Sequence, residues 1–179
     1  MKKMLLCTFA LSCAALFAQE YKIDFAAKSR WNAIRNHGNR LVLQNGVLNK
    51  KNVTIATLVK EQKSGVDTAF ALISKKFSVK GKKSIEISGE LLIPAKQNVG
   101  GSGGSFQNAV HFFDAKGKGL KPAFTPFKVP TGTGSFMPFK ATVAVPAGAV
   151  EATIQIGYDY PNILKGQTFA ISKLVWFVK

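Results

Sequence analysis

The chain has 179 residues and a formal net charge of +16, with 25 basic side chains against nine acidic ones. This length suits one domain with a substantial core. Such a charge is typical of a nucleic-acid-binding protein. However, no dense Lys/Arg run occurs and the N-terminus indicates export, so we expect no nucleic-acid partner. An acidic polysaccharide, lipopolysaccharide or another anionic envelope surface fits such a protein. Solubility alone is the alternative reason for the charge.

Residues 1–18 have the pattern of a secretory signal peptide. A basic start, Met1-Lys2-Lys3, precedes an apolar segment over 4–17, and Ala18 supplies the small residue for cleavage before Gln19. The apolar segment is too short to span a bilayer comfortably. We therefore expect a secreted or periplasmic protein without a transmembrane segment, whose mature chain is one domain over 19–179.

Lipid attachment at Cys13 is the alternative to simple cleavage. Leu11-Ser12 precedes this cysteine suitably, but Ala10 stands where leucine is preferred. Cys7 and Cys13 are the only cysteines and both lie in the leader, so the mature domain has no disulfide and depends on its core.

The first predicted strands lie between residues 21 and 59. Residues 21–25 alternate and predict an edge strand, and 26–39 predict a loop or short helical turn. Asn45-Gly46, between the apolar segments 40–44 and 47–50, predicts a type I′ hairpin turn. Residues 53–59 form a further β-branched run.

The most regular strand pattern lies at 84–93, after a basic turn over 80–83 and the apolar run 70–79. Outward positions alternate strictly with five inward ones, which are Ile85, Ile87, Gly89, Leu91 and Ile93. A period of two predicts a strand with one buried face. The turn at 80–83 is either a hairpin or a tight connection between two sheets.

Turns and irregular segments separate the remaining strands. The glycine-rich segment 95–105 predicts a surface loop, and the prolines and glycines of 120–134 predict an irregular crossing. Further strands are predicted at 107–114, 136–145, 150–158 and 168–178. Short strands without an amphipathic helix predict an all-β, two-sheet antiparallel β-sandwich.

Three motifs in this order resemble the galactose-binding-like jelly roll of carbohydrate-binding modules. They are Phe77-Ser78-Val79-Lys80-Gly81, the segment 112–117 with Phe112, Asp114 and Gly117, and Val145-Pro146-Ala147-Gly148-Ala149. The resemblance covers roughly 22–178. It implies sugar binding on a concave sheet or at loops along one edge, through aromatic platforms and a few polar groups. Many family members hold a structural calcium near acidic residues of the closing strand, but 170–174 has none, so we expect no cofactor.

Catalysis is not expected. A glycosidase needs two facing carboxylates, whereas Glu86 and Glu90 share one strand face about 13 Å apart. His37 and His111 lack the spacing of a zinc site, and neither a Gly-x-Ser-x-Gly elbow nor a mature cysteine is present. A small glycan-active enzyme is the weakest alternative.

Candidate sugar ligands follow from the strand alternation. On the strand 107–114, Val110 and Phe112 point to the core and Gln107, His111 and Phe113 point the other way. Outward polar residues of two other strands would join them in one strip if the strands are neighbours: Glu86, Ser88, Glu90, Thr153 and Gln155. The alternative is that His111 merely fills a polar patch.

The aromatic and cationic candidates lie in or beside loops. Trp31, Tyr158 and Tyr160 are the predicted platforms, although Trp31 could instead cover a sheet edge, and Trp176 is expected in the core. For an anionic glycan, Arg35 is the central candidate, with Arg30, Arg40 and His37 nearby.

The sequence therefore predicts a secreted, non-catalytic protein that binds a glycan or polysaccharide and that acts alone or with a glycan-degrading enzyme or envelope component. The alternative is an envelope protein that uses the same sandwich for structural or protein contacts, through an apolar patch or an open sheet edge.

Overall fold

The computed structural model describes residues 19–22, 31–33, 41–58, 70–93, 106–130, 134–158 and 168–179. Within these ranges every regular element is a strand, and no helix is long and apolar enough to cross a membrane. The strands are β1 (Gln19–Lys22), β2 (Trp31–Ala33), β3 (Leu41–Leu48), β4 (Lys51–Leu58), β5 (Phe70–Ser74), β6 (Phe77–Ser78), β7 (Ser84–Leu92), β8 (Phe106–Phe113), β9 (Thr125–Pro126), β10 (Phe136–Ala144), β11 (Glu151–Tyr158) and β12 (Thr168–Val178).

The strands form two antiparallel sheets. Sheet A has the order β10-β7-β12-β4-β3, with β1 also beside β12, and sheet B has the order β2-β5-β11-β8-β9, with β6 also beside β11. The prediction of an all-β, two-sheet antiparallel sandwich is confirmed.

The core lies between the two sheets. On β7 the predicted alternation is present, since Ile85, Ile87, Gly89 and Leu91 are buried and the residues that alternate with them are half-buried. Ile154 and Ile156 of β11 are fully buried from the other side. Each sheet therefore keeps one face inside and one outside, and any ligand on a sheet must use an outer face.

The hairpin between β3 and β4 turns four residues later than predicted. Asn45-Gly46 lies inside β3, and the turn is Asn49-Lys50, both with positive φ (52° and 61°). Two consecutive positive φ values are those of a type I′ turn. The later turn allows eight cross-strand pairs and brings Leu43 opposite the buried Ala56, which outweighs the local preference of Asn-Gly.

The basic turn at 80–83 connects the two sheets. β5 and β6 belong to sheet B and β7 belongs to sheet A, so the hairpin alternative is wrong and the sheet-to-sheet connection is confirmed. Gly81 has a φ of 70°, which a glycine adopts readily, and Lys83 N donates to Lys179 O at the end of β12. The prediction of a loop or helical turn over 26–39 is wrong at β2, which pairs with β5.

Ser74 closes a break in sheet B where β5 ends and β6 has not begun. Its hydroxyl accepts a hydrogen bond from Ile154 N (2.9 Å) and donates to Lys75 O (3.1 Å). The side chain thereby replaces the strand partner that this backbone N–H of β11 would otherwise lack.

Candidate functional site on the outer face of sheet B

The pairing of β8 with β11 brings the predicted polar residues of these two strands together. His111 lies opposite Thr153, and Gln155 lies two pairs further along, opposite Ala109 and on the same face. Val110 and Phe112 are buried while His111 and Phe113 are half-buried, as the alternation predicts. His111 and Gln155 are therefore neighbours on the outer face of sheet B.

His111 is held at both ring nitrogens. Its Nδ1 lies 3.0 Å from Ala123 O, and its Nε2 lies 2.9 Å from Gln155 Oε1. Because a carbonyl oxygen only accepts, Nδ1 must carry a hydrogen. A neutral ring then has a bare Nε2 and requires the NH₂ group of Gln155, whereas a protonated ring donates to its Oε1. The pair orients both side chains and leaves the other end of the amide outside this bond.

Phe124 supplies an exposed ring beside this pair. It follows Ala123 in the segment between β8 and β9, and 45% of the residue is exposed. The ring centroids of Phe124 and His111 are 6.1 Å apart, with the planes tilted by 51°. Since Ala123 O accepts a hydrogen bond from the imidazole, the backbone next to Phe124 is held close to β8. An accessible aromatic surface thus lies next to oriented polar groups.

Phe113, which lies on the same strand as His111, does not offer such an accessible aromatic surface. Lys76 Nζ lies 4.2 Å from the centroid of its ring and 3.0 Å from Glu151 Oε2. The ammonium therefore covers one face of the ring. Phe124 is the exposed large aromatic residue in the part of the chain whose side chains are described.

Solved structures with this arrangement of strands include carbohydrate-binding modules. The chain resembles the C-terminal family 22 carbohydrate-binding module of Clostridium thermocellum Xyn10B, with a TM-score of 0.54, 12% identity, and coverage of 88% of this chain and 92% of that one. The chain has the jelly-roll fold of a carbohydrate-binding module. The resemblance stated from the three sequence motifs is confirmed as a resemblance of fold.

Two longer proteins contain a similar domain. One is the N-terminal part of the same xylanase, with its first family 22 module and family 10 glycoside hydrolase module, in complex with xylohexaose (TM-score 0.53, 16% identity, 90% of this chain and 28% of that one). The other is the enzymatically active domain of bacteriophage CBA120 tailspike protein 4 (TM-score 0.59, 14% identity, 87% and 20%). The chain spans less than a third of either, and at these identities the likeness concerns the fold alone. No family model and no curated protein matches the sequence.

Glu90 does not belong to this site, contrary to the prediction. β7 lies in sheet A, so Glu86, Ser88 and Glu90 face outward on the opposite side of the jelly roll from His111 and Gln155. The single polar strip was predicted on the condition that the three strands are neighbours, and this condition is not met, because β7 lies in the other sheet from β8 and β11. Alternation assigns a residue to a face of its strand and does not say which sheet the strand joins.

The two carboxylates of β7, Glu86 and Glu90, are engaged with lysines. Glu90 accepts hydrogen bonds from Lys51 and from Ser172, each at 2.7 Å, and these bonds, Lys51 first, lower its pKa. Glu86 lies 2.7 Å from Lys179 Nζ, and this hydrogen bond lowers its pKa. Both carboxylates therefore favour the charged form and take part in ion pairs on the protein surface.

Other predicted residues are placed by backbone pairing only or lie outside the described residues. Trp31 is opposite Ser74, Gln107 is opposite Gly157, and Tyr158 lies opposite Phe106 in sheet B. Arg35 and Tyr160 lie outside the described residues, as do Arg30, His37 and Arg40. Trp176 is buried against Phe77, as predicted for a core residue.

Phe124 was missed by the sequence analysis. It stands between Pro122 and Pro126 in the irregular crossing, where no alternation indicates its direction. The available signal was a pair of aromatic residues, Phe124 and Phe127, in a proline-rich segment that follows a candidate binding strand, and of these Phe127 is buried. Among the described residues, no cluster of three or more His, Cys, Asp or Glu side chains could hold a metal ion.

Proposed function

We propose that this is a secreted, non-catalytic protein that binds a glycan across the outer face of sheet B, beside Phe124. The proposal is supported by the fold, which the chain shares with modules described as xylan-binding or carbohydrate-binding. Fold alone does not determine function, so the residues of this face must supply the specific support.

The observation that carries the proposal is the exposed Phe124 ring next to the bonded pair of His111 and Gln155. A pyranose presents an apolar face that stacks on such a ring, and its hydroxyl groups exchange hydrogen bonds with the imidazole and the amide. The side chains are already oriented by Ala123 O and by each other. Little conformational entropy is then lost when the sugar binds.

The carboxylates support binding without hydrolysis. In the part of the chain with described side chains, Glu86, Glu90 and Glu151 are each within 3.0 Å of a lysine ammonium. Asp114 Oδ1 accepts hydrogen bonds from the backbone of its own turn. A glycosidase requires one carboxyl that can donate a proton beside a second that attacks or activates water.

The test is affinity electrophoresis of Phe124→Ala against neutral polysaccharides, including xylan, at low and high salt. We expect the wild-type protein to be retained by at least one neutral polysaccharide in high salt. Loss of the ring should weaken binding by about thirtyfold, the scale of a central aromatic contact. Val47→Ala is the matched control, since Val47 is 70% exposed on β3 of the other sheet. Equal retention of both variants would contradict the proposal.

Protein contacts in the envelope are the alternative role. Val42 and Val47, the exposed apolar residues described on the edge strand β3, are five positions apart. They therefore lie on opposite faces of β3 and do not form one apolar patch. The glycan role has the more specific support.

Export is the second part of the proposal. It depends on the signal-peptide pattern of residues 1–18. Mass spectrometry of protein recovered from the periplasm or medium should give a chain that begins at Gln19. A lipidated chain that begins at Cys13 would instead support the anchored alternative.

A further inference from the structure

One end of the sandwich gathers lysines that are dispersed in the sequence. The connection from β6 to β7, the turn after β8 and the end of β12 lie at this end, close to Lys76. We call this group of seven residues the lysine end: Lys76, Lys80, Lys82, Lys83, Lys116, Lys118 and Lys179. The acidic side chains beside it are Glu86, Asp114 and Glu151.

Backbone hydrogen bonds bring these segments together. Val79 N donates to Val150 O (2.9 Å), and Val150 N donates to Phe113 O (2.8 Å). Val79 and Phe113, which directly precede the two basic turns, therefore lie two strand spacings apart. Two strand spacings are about 10 Å. This is close to the Debye length at physiological ionic strength, so lysines of the two turns act on a ligand together.

The turns hold their lysines on ordered backbone. Asp114 Oδ1 accepts hydrogen bonds from the backbone N–H groups of Lys116 (2.8 Å) and Lys118 (2.9 Å). Gly117, with a φ of 77°, allows the chain to reverse between them. Asp114 thereby shapes the turn, and it forms no ion pair with a lysine among the residues that the structure describes.

The other two acidic side chains are also engaged, Glu151 with Lys76 and Glu86 with Lys179. The remaining five lysines make no ion pair with a carboxylate among the residues that the structure describes: Lys80, Lys82, Lys83, Lys116 and Lys118. All five are exposed or half-buried. The lysine end therefore presents excess positive charge on a preorganised surface.

We propose that the lysine end binds the carboxylate or sulfate groups of an acidic polysaccharide. This inference depends on the proposed function and names the class of glycan. His111 lies two residues before Phe113 on β8, about 7 Å along the strand, and the turn with Lys116 follows directly. One extended glycan on the outer face of sheet B thus reaches from Phe124 to these ammonium groups.

A polysaccharide fits this surface better than a membrane does. Insertion into a lipid interface requires exposed apolar side chains beside the basic ones. The exposed large apolar residues of the described chain are Val42, Val47, Phe124 and Met137, and none belongs to the lysine end. An anionic polymer that passes along the surface requires only the charges and the neighbouring sugar platform.

The experiment compares two triple variants of equal net charge. Lys80→Gln, Lys83→Gln and Lys118→Gln alter the lysine end, and the control changes three lysines elsewhere, Lys50→Gln, Lys128→Gln and Lys173→Gln. Polygalacturonate affinity is measured by calorimetry at several NaCl concentrations, with circular dichroism as a check of folding. We expect the lysine-end variant to bind about tenfold more weakly at low salt and with a shallower salt dependence. The control should stay within about twofold of the wild type.

Each other outcome overturns the inference in a distinguishable way. An equal loss in both variants would mean that the charge acts diffusely, while retention of a neutral glycan that is lost in Phe124→Ala would still support the proposed function. If duplex DNA or phosphatidylglycerol vesicles bind through the same three lysines more tightly than polygalacturonate does, the surface would be assigned to that other ligand. Failure of every glycan, neutral or acidic, would contradict the inference and the proposed function together.

Discussion

His111 Nε2 lies 2.9 Å from Gln155 Oε1, across two strands that are 44 residues apart in sequence. This contact turns two outward polar residues into one oriented group, because the other ring nitrogen is bonded to Ala123 O. The pair lies beside Phe124 and forms the polar half of the candidate glycan site.

Gln155→Ala should weaken glycan binding more than it weakens the fold. The amide is half-buried on an outer face, so its loss removes a hydrogen bond to the ligand and frees the imidazole. We expect about a tenfold loss of affinity by calorimetry, which corresponds to one or two hydrogen bonds. Thr142→Ala, at an exposed position of sheet A, is the control and should bind as the wild type does. Unchanged affinity in Gln155→Ala would remove this residue from the site.

Ser74→Ala should destabilise the domain. Ser74 is 1% exposed, and its hydroxyl is the acceptor for Ile154 N at the break between β5 and β6. Without it a buried backbone N–H loses its partner, at a cost of about 1–3 kcal/mol in the free energy of unfolding. Urea denaturation measures this loss. Ser78→Ala, on the exposed side of β6, should change the same quantity by less than about 0.5 kcal/mol.

Gly89→Ala should be among the more destabilising single-methyl changes in sheet A. A Cβ at this position would lie 2.5 Å from Lys173 O and 2.7 Å from Phe139 Cε1, next to the register shift of β12 between Ile171 and Lys173. The backbone carbonyl cannot move away cheaply, so we expect a loss of about 1–3 kcal/mol.

Gly46→Ala is the matched control for that substitution. Nothing lies within 4 Å of a Cβ at Gly46, which is also in a strand. Its unfolding free energy should be unchanged or slightly higher, because alanine has less conformational freedom to lose on folding. Equal denaturation midpoints for the two variants would show that the close approach at Gly89 is relaxed in solution.

Stability should fall with acidification below about pH 5. The pKa values of Glu86 and Glu90 are lowered from their ordinary value of 4.5 in the folded protein, mainly by hydrogen bonds from Lys179 and Lys51 respectively. A lowered folded pKa contributes stability above the unfolded pKa, and that contribution is lost as the pH falls through the folded value.

Denaturation midpoints from pH 7 to pH 3 measure this dependence, and the double variant Glu86→Gln, Glu90→Gln should flatten it. A wild-type denaturation midpoint that rises as the pH falls would contradict the prediction. An unchanged slope in the double variant would assign the dependence to other carboxylates.

Alternation within single strands predicted much of the fold. The pattern from Ile85 to Ile93 identified β7 and its buried face, and the same reasoning separated His111 from Val110 and Phe112. These assignments succeed because the period of a strand is a local property.

Features that depend on distant pairing were predicted less well. Asn45-Gly46 is a strong local turn signal, but the pairing of β3 with β4 over eight residues places the turn at Asn49-Lys50. Glu90 was grouped with His111 because nothing in either strand shows which sheet it joins. Phe124 escaped notice because an irregular segment has no period from which its exposure could be read.

The central claim is that a glycan occupies the outer face of sheet B. The most direct measurement is a titration of the ¹⁵N-labelled protein with an oligosaccharide of a retained polysaccharide, followed by amide chemical shifts. We expect the largest changes within 109–113, 119–127 and 151–157, and Phe124→Ala should need about thirtyfold more ligand to reach the same changes. Changes concentrated in β7, β10 and β12 of sheet A, or no changes at all, would contradict the account.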